Sequence, residues 1–278
     1  MNKWTYFDAL TWGRQCLAET GMDPEAPTFI LMMLHNWSFT QLVSHYRQIM
    51  IDEEVQRFRW AVEQVVHHVP AQYVVGRAPF YGRDFIVNRD VLIPESETEE
   101  LIEWVLATMP AEKPLRVLDL GTGSGVIGIT LALERPNWQV TLSDISHPAL
   151  TVAEMNQRLH GTQLTQVQSD LFADLVGPFD LIVTNPPYID PDDPAVETSV
   201  RENTPGLALF ADEHGLGIYR RIFMALDDVL VPGGHLFGET GYDQEGPIRA
   251  LFNEVGGNGS LTTKHDINDQ MRMIHVKH

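Results

Sequence analysis

Cysteine occurs once in this 278-residue chain, at Cys16. An internal disulfide framework and a cysteine-based metal cluster are therefore excluded, and no metal is expected. Long apolar runs are missing as well: no stretch reaches the roughly eighteen residues that a membrane-spanning helix needs. The opening residues, MNKWTYFDAL, lack the apolar core of a secretion signal. These absences predict a soluble protein of a reducing compartment, the cytoplasm, with no membrane partner. Basic residues are scarce, 19 Lys and Arg against 38 Asp and Glu, for a formal charge of −19. Nucleic acid is gripped by cations that release its counterions, so no direct sequence-specific nucleic-acid contact is expected. The acidity also serves solubility.

A hydrophobic content of 44% over 278 residues is enough for one large domain and a small one. Residues 1–75 read as helical. In DEEVQRFRWAVEQVVHHV, Val55, Phe58, Val62, Val65 and Val66 recur at helical spacing on one face. Ser38 and Gln41 stand at capping-box spacing before LVSHYRQIM. The adjacent His67 and His68 would point about 100° apart on a helix, which makes them poor joint metal ligands and better surface or capping residues. Residues 76–95 read as a connecting β-hairpin, with strands Asp84–Val87 and Val91–Ile93 around NRD. Ser96 and Glu99 then repeat the capping-box spacing at the start of SETEELIEWVLATM. From residue 114 short apolar strands alternate with helices, and a helix over GLGIYRRIFMALDDVL is expected to stop at VPGG. This predicts an α/β domain over 96–278 with a mostly parallel sheet covered on both faces. Ligands of such sheets bind beyond the carboxyl ends of the strands.

Two motifs fall at such ends. DLGTGSGVIG carries Gly121, Gly123, Gly125 and Gly128. Read from Gly123 it is the G-x-G-x-x-G of dinucleotide sites; read from Asp119 it is the D-x-G-x-G-x-G of methyltransferases that use S-adenosylmethionine. Either way the backbone must turn sharply and approach a ligand with no Cβ between them. Asp144 closes the next strand about twenty residues on, where a carboxylate accepts from both ribose hydroxyls of either cofactor. Asp170 closes the following one, where an adenine edge would lie, with Leu171 placed to cover the adenine face. Each Asp alone could be a turn or capping residue; three in series after successive strands, Asp119, Asp144 and Asp170, together with the glycine loop favour a ligand site.

The second motif, TNPPYID, separates the alternatives. Asn185 precedes proline and is pushed to extended backbone. Pro186 and Pro187 fix their own φ and donate no N–H. The result is a stiff array of acceptors, in which the Asn185 side-chain oxygen and the Pro186 carbonyl can face a planar NH2 group. An amide or exocyclic amine is a weak nucleophile that must be aimed at the methyl carbon of a sulfonium. Hydride transfer has no use for paired acceptors. Asn185, Pro186 and Tyr188 are thus the expected catalytic residues, with Pro187 in the substrate grip and Tyr188 packing on the flat face of the substrate group.

Together with QYVVGRAPFYGRDFIVNRDVLIP, ETEELIEWVL, SDLF and LALFADEHGLGIYRRI, these motifs make nearly the whole chain resemble the HemK/PrmC family of protein-(glutamine-N5) methyltransferases. The resemblance implies a Rossmann-like class I S-adenosylmethionine-dependent methyltransferase domain, with a small N-terminal helical domain that helps dock the partner. It implies an acceptor, the glutamine of the Gly-Gly-Gln loop of class I peptide chain release factors. It also implies a cofactor site of Gly121, Thr122, Gly123, Ser124, Gly125, Asp144 and Leu171, bordered by Asn185, with Asn185 to Tyr188 holding the glutamine amide. Glu95 and Ser96 depart from the arginine and proline usual after IP, and Thr204-Pro205 from the Glu-Pro usual before LAL. The first departure reverses a charge at the substrate mouth. Rival acceptors are a glutamine of a ribosomal protein, which ETEEL after LIP disfavours, and an adenine N6, which the acidity disfavours. A cofactor-binding interaction protein without turnover would have little need of an intact NPPY.

Overall fold

The structure, a computed structural model, describes residues 3–18, 20–193 and 203–278. They form two compact units, one running to Arg77 and including Asn203, the other built from the remaining residues from Ala78 onward.

The first unit holds α1 (Tyr6–Ala18), α2 (Ala26–His35), α3 (Phe39–His45), α4 (Asp52–Val66) and α5 (Ala71–Val75). Its core joins Leu10, Leu17, Ile30, Leu31, Leu42, Phe58 and Val62, with Val55 and Val66 packed at the margin. The predicted capping box is present on α3: Gln41 N–H donates to Ser38 Oγ, and Ser38 N–H to Gln41 Oε1 at 2.8 Å. His67 caps the C-terminus of α4, and both it and His68 are exposed.

The second unit opens at Ala78, inside a hairpin of β1 (Arg77–Phe80) and β2 (Arg83–Ile86). Its turn is Tyr81-Gly82, at φ 50° and 70°, the two left-handed positions of a type I′ turn. The expected pairing of Asp84–Val87 with Val91–Ile93 is therefore corrected. Asn88-Arg89-Asp90 is a local turn instead, in which Asp90 N–H donates to Asn88 Oδ1 at 2.9 Å. The expected capping box on α6 (Ser96–Thr108) is also absent. Glu95 occupies the cap position without a side-chain bond, and Glu99 Oε1 accepts from Tyr81 N–H at 2.7 Å. Glu99 holds the hairpin turn rather than its own helix end.

The elements that follow are β3 (Arg116–Leu120), α7 (Val126–Glu134), β4 (Gln139–Asp144), α8 (His147–His160), β5 (Thr165–Gln168) and β6 (Phe179–Thr184). After them come α9 (Gly217–Val229), β7 (Leu230–Glu239), α10 (Glu245–Glu254), β8 (Ser260–His265) and β9 (Met271–Lys277). VPGG lies inside β7, one residue past the end of α9, so it opens the strand rather than merely stopping the helix. The sheet order is β5-β4-β3-β6-β7-β9-β8, with β9 antiparallel to both its neighbours and the other pairs parallel. Alternate residues feed two cores. Val117, Leu181, Val183, Phe237 and Met273 meet α6 and α7 on one face. Leu118, Ile182, Leu236 and Ile274 meet α9 and α10 on the other. Both faces are covered, as the unbroken apolar strands require.

One buried polar residue pins the hairpin to the glycine loop. Asn156 on α8 is fully buried; its Oδ1 accepts from Ile86 N–H at 2.6 Å, and its Nδ2 donates to Ile86 O at 2.9 Å and Ser124 O at 2.8 Å. Replacing it with the similarly sized leucine strands those backbone groups. Asn156→Leu is expected to lower unfolding free energy by about 3 kcal/mol, read as a drop in the urea midpoint; an unchanged midpoint would show that the pin carries no stability.

Candidate functional site

A cavity of about 340 Å³ opens beyond the carboxyl ends of β3, β4 and β6. It is lined by Gly121 to Ser124, Asp144, Leu171 and Asn185 to Pro187, and its far wall carries Leu207, Phe210 and Ile218. The parallel sheet ends its strands in one row, so motifs far apart in sequence meet there.

The glycine loop crosses that row. Gly121, Gly123 and Gly125 have φ of 71°, 54° and 85°, which side-chain-bearing residues adopt at a cost. Gly121 N–H and Thr122 N–H donate to Ser143 O at 2.8 and 2.9 Å, tying the loop to β4. A Cβ built on Gly121 or Gly123 would meet no protein atom within 4 Å, so these positions leave an open cradle. Gly125 N–H is satisfied by Thr122 O at 2.8 Å. Gly128 serves packing: a Cβ there would lie 2.2 Å from Leu142 Cδ2 and 2.9 Å from Asp119 Oδ2.

Asp119 is fully buried beneath the loop. Its Oδ2 accepts from Thr122 Oγ1 and from Gly128 N–H at 2.8 Å, while Oδ1 has no partner among the described residues. Burial pushes its carboxyl up to about 7, against the pull of those two bonds. Asp119 thus supports the loop from behind and does not line the cavity.

Asp144 does line it. Its Oδ2 accepts from Gly123 N–H at 2.9 Å and its Oδ1 from Ser146 N–H at 2.8 Å. A carboxylate has about four acceptor sites, so these bonds leave capacity for a ribose hydroxyl. Burial raises this carboxyl, opposed by the backbone bonds from Ser146, Gly123 and Ile145. Leu171 lines the cavity at φ 50°, its carbonyl held by Ser169 Oγ at 2.9 Å. Asp170 also lines it, paired with Arg221 at 2.9 Å. The open cradle, a diol acceptor and an apolar cover in sequence fit the adenosyl and amino-acid parts of S-adenosylmethionine.

Asn185 leaves β6 at the cavity floor. The parallel register pairs Thr184 with Gly238, so Asn185 and Glu239 are neighbours at two adjacent strand ends. Asn185 Nδ2 donates to Thr98 Oγ1 at 3.1 Å, and Thr98 Oγ1 donates to Glu239 Oε2 at 2.6 Å. No described residue donates to the Pro186 carbonyl. Tyr188 is placed differently from the expectation: it is not among the lining residues, and its hydroxyl donates to Glu239 Oε1 at 3.0 Å. Burial, then the charges of Glu239 and Glu95, hold its phenol far above the usual range. Its carbonyl accepts from Gln244 Nε2 at 2.9 Å, and the next residue pairs with the LALFA segment through Ile189 N–H to Leu209 O and Ala211 N–H to Ile189 O, both 3.0 Å. Tyr188 therefore anchors the exit of the Pro-Pro stretch. Glu95, at the other lip, lines the cavity, its carboxyl raised by desolvation and by Glu97.

Thr98 and Glu239 were missed in the sequence. Glu239 left a signal, an acid ending the apolar strand in HLFGETG, with Gly238 before it leaving space for the Tyr219 hydroxyl. Thr98 left none.

The family model for the PrmC N-terminal domain matches residues 8–76, and that for the methyltransferase small domain matches residues 100–203. The chain is 41% identical over 262 residues to a release factor glutamine methyltransferase of Streptococcus pneumoniae, covering 94% of each chain. It is 34% identical to a protein of the same name from Enterococcus faecalis, over 96% of this chain and 97% of that one. A methyltransferase structure from Pyrococcus furiosus, 14% identical, superposes with a TM-score of 0.54 over 82% of this chain and 98% of that one, which shows the shared fold.

Proposed function

The chain belongs to the release factor glutamine methyltransferase family, and from that membership we propose that it methylates the side-chain amide nitrogen, N5, of the glutamine in the Gly-Gly-Gln loop of class I peptide chain release factors. The observation that carries this reading is the fixed Asn185 carboxamide beside the Pro186 carbonyl, to which no described residue donates, in a cavity also lined by the glycine loop, Asp144 and Leu171. S-adenosylmethionine, when bound, supplies a methyl group made electrophilic by its sulfonium.

The residues present divide the work. Gly121, Thr122, Gly123 and Ser124 would hold the amino-acid end of the cofactor, Asp144 its ribose hydroxyls and Leu171 its adenine face, while Gly125, which does not line the cavity, packs against Ile129 and closes the loop. Asn185 Oδ1 and the Pro186 carbonyl accept the two N–H bonds of the substrate amide. That alignment points the nitrogen at the methyl carbon, and orientation of this kind is worth several kcal/mol. The same two acceptors stabilise positive charge as it develops on nitrogen. No strong base among these residues is required: the amide nitrogen would take the methyl as the methyl–sulfur bond breaks and a neutral thioether departs, and would then lose its proton to water. Pro187 keeps the stretch stiff, and Tyr188 anchors it through Glu239.

The acidic composition supports a protein acceptor over a nucleic acid. Among the described residues no helix is long and apolar enough to cross a membrane, and we place the enzyme in the cytoplasm with its acceptor. The helical N-terminal unit is the proposed docking element.

Incubation with labelled S-adenosylmethionine and purified class I release factors, followed by peptide mapping, is expected to place one methyl group on the Gly-Gly-Gln glutamine. Label confined to ribosomal protein or to nucleic acid would replace the acceptor. Asn185→Ala is expected to lower kcat on the order of 10²–10³-fold with cofactor affinity nearly unchanged; full turnover would remove Asn185 from the mechanism. Asp144→Ala is expected to weaken cofactor binding about 10- to 100-fold by calorimetry, and unchanged affinity would remove the diol contact.

A further inference from the structure

We propose that Thr98 and Glu239 form a hydrogen-bond relay that fixes the sense of the Asn185 carboxamide, so that its oxygen and not its NH2 faces the substrate. The inference rests on the reading that Asn185 accepts from the substrate amide. The two ends of a carboxamide are nearly equal in size, so shape alone does not decide which end faces the cavity. Hydrogen-bond polarity decides it here.

The Thr98 hydroxyl has a single hydrogen and two close neighbours, Glu239 Oε2 at 2.6 Å and the Asn185 carboxamide at 3.1 Å. An ionised carboxylate can only accept. The hydrogen therefore goes to Glu239, and the Thr98 oxygen offers Asn185 lone pairs alone. Asn185 must present N–H to Thr98, which turns Oδ1 towards the cavity. Tyr188 reinforces the pattern by donating to the other Glu239 oxygen at 3.0 Å. Thr98 and Glu239 are both buried, so water does not interrupt the chain.

Protonation of Glu239 reverses the polarity. A neutral carboxyl can donate to Thr98, the Thr98 hydrogen then points at Asn185, and the carboxamide turns over to accept it. Its NH2 now meets the NH2 of the substrate, donor against donor. The groups around Glu239 set where this happens. Burial pushes its carboxyl up to about 7; Thr98, Tyr188 and the Arg272 guanidinium on β9 pull down, and Glu95, just before α6, pushes up. Tyr219 on α9 contributes no charge and donates to the Glu239 backbone carbonyl. The relay is therefore intact above about 7 and lost as pH falls through it. Binding of an amide donor favours the ionised form, so the midpoint in kcat lies below the midpoint in kcat/KM.

The test measures kcat and kcat/KM for release-factor methylation across about pH 5.5 to 8.5, with cofactor binding followed separately as the measure of folding. Wild-type enzyme is expected to lose kcat/KM on the acid side with a midpoint near that of Glu239. Thr98→Val and Glu239→Gln are expected to lose about 10- to 100-fold in kcat, to bind cofactor as before, and to show no acid limb. Thr98→Ser, which keeps the hydroxyl, restores both the rate and the limb relative to Thr98→Val. A wild-type profile without an acid limb overturns the relay, and that measurement needs no variant. So does a Glu239→Gln enzyme that keeps the limb, or a Thr98→Ser enzyme as impaired as Thr98→Val. Asn185→Ala separates the two levels: if it retains turnover the acceptor reading itself fails, whereas an inactive Asn185→Ala beside a fully active Thr98→Val removes the relay alone.

Discussion

Parallel pairing of β3, β4, β6 and β7 is the constraint from which the site follows. Because the pairs run Leu120 to Ser143, Leu120 to Thr184 and Thr184 to Gly238, the strands end level. The glycine loop, Asp144, Asn185 and Glu239 then leave the sheet side by side. The Thr184 hydroxyl locks this edge by donating to Leu120 O at 2.7 Å. A register slip of one residue would turn Thr184 and its neighbours to the opposite face. The apolar alternation that feeds the two cores therefore also fixes the chemistry at the strand tips.

The parts that could be read from the sequence obey local rules. The loop glycines announce left-handed backbone, and they have it. The Pro-Pro stretch announces stiffness, and the strand and helix alternation announces the covered parallel sheet. The failures have an equally physical origin. The hairpin turn falls on Tyr81-Gly82, where a tyrosine adopts a conformation usually reserved for glycine or asparagine, and NRD offered the more conventional turn residues. The Ser96–Glu99 spacing matched a capping box, yet Glu99 found a better donor in Tyr81 N–H, eighteen residues upstream. Spacing reveals which bonds are possible, and tertiary competition decides which are made.

Long-range partners were illegible for a different reason. Thr98 and Glu239 are separated by 141 positions, and neither belongs to a motif that names the other. Asn156 belongs to no motif in the sequence, although it satisfies backbone groups of both β2 and the glycine loop. Tyr188 was legible as part of NPPY but not in direction. Its hydroxyl is drawn to Glu239, behind the wall and away from the substrate side.

Asp119 and Glu239 show why the interior carries acids at all. Both are fully buried and both carboxyls are pushed to about 7, by desolvation above all. Burying such groups costs several kcal/mol unless hydrogen bonds offset it. Each stands behind the cavity wall: Asp119 receives Thr122 of the loop and Gly128 of α7, and Glu239 receives Thr98 and Tyr188. An amide in either place could present a donor or an acceptor and would leave the next group free to choose. An ionised carboxylate accepts only, so it dictates the direction of every hydroxyl and N–H that reaches it. At Asp119 that direction reaches the glycine loop; at Glu239 it reaches, through one hydroxyl, the Asn185 carboxamide that we propose faces the substrate amide. The desolvation cost is thus the cost of a defined polarity, and it falls at the two places where a reversed hydrogen bond would do most harm.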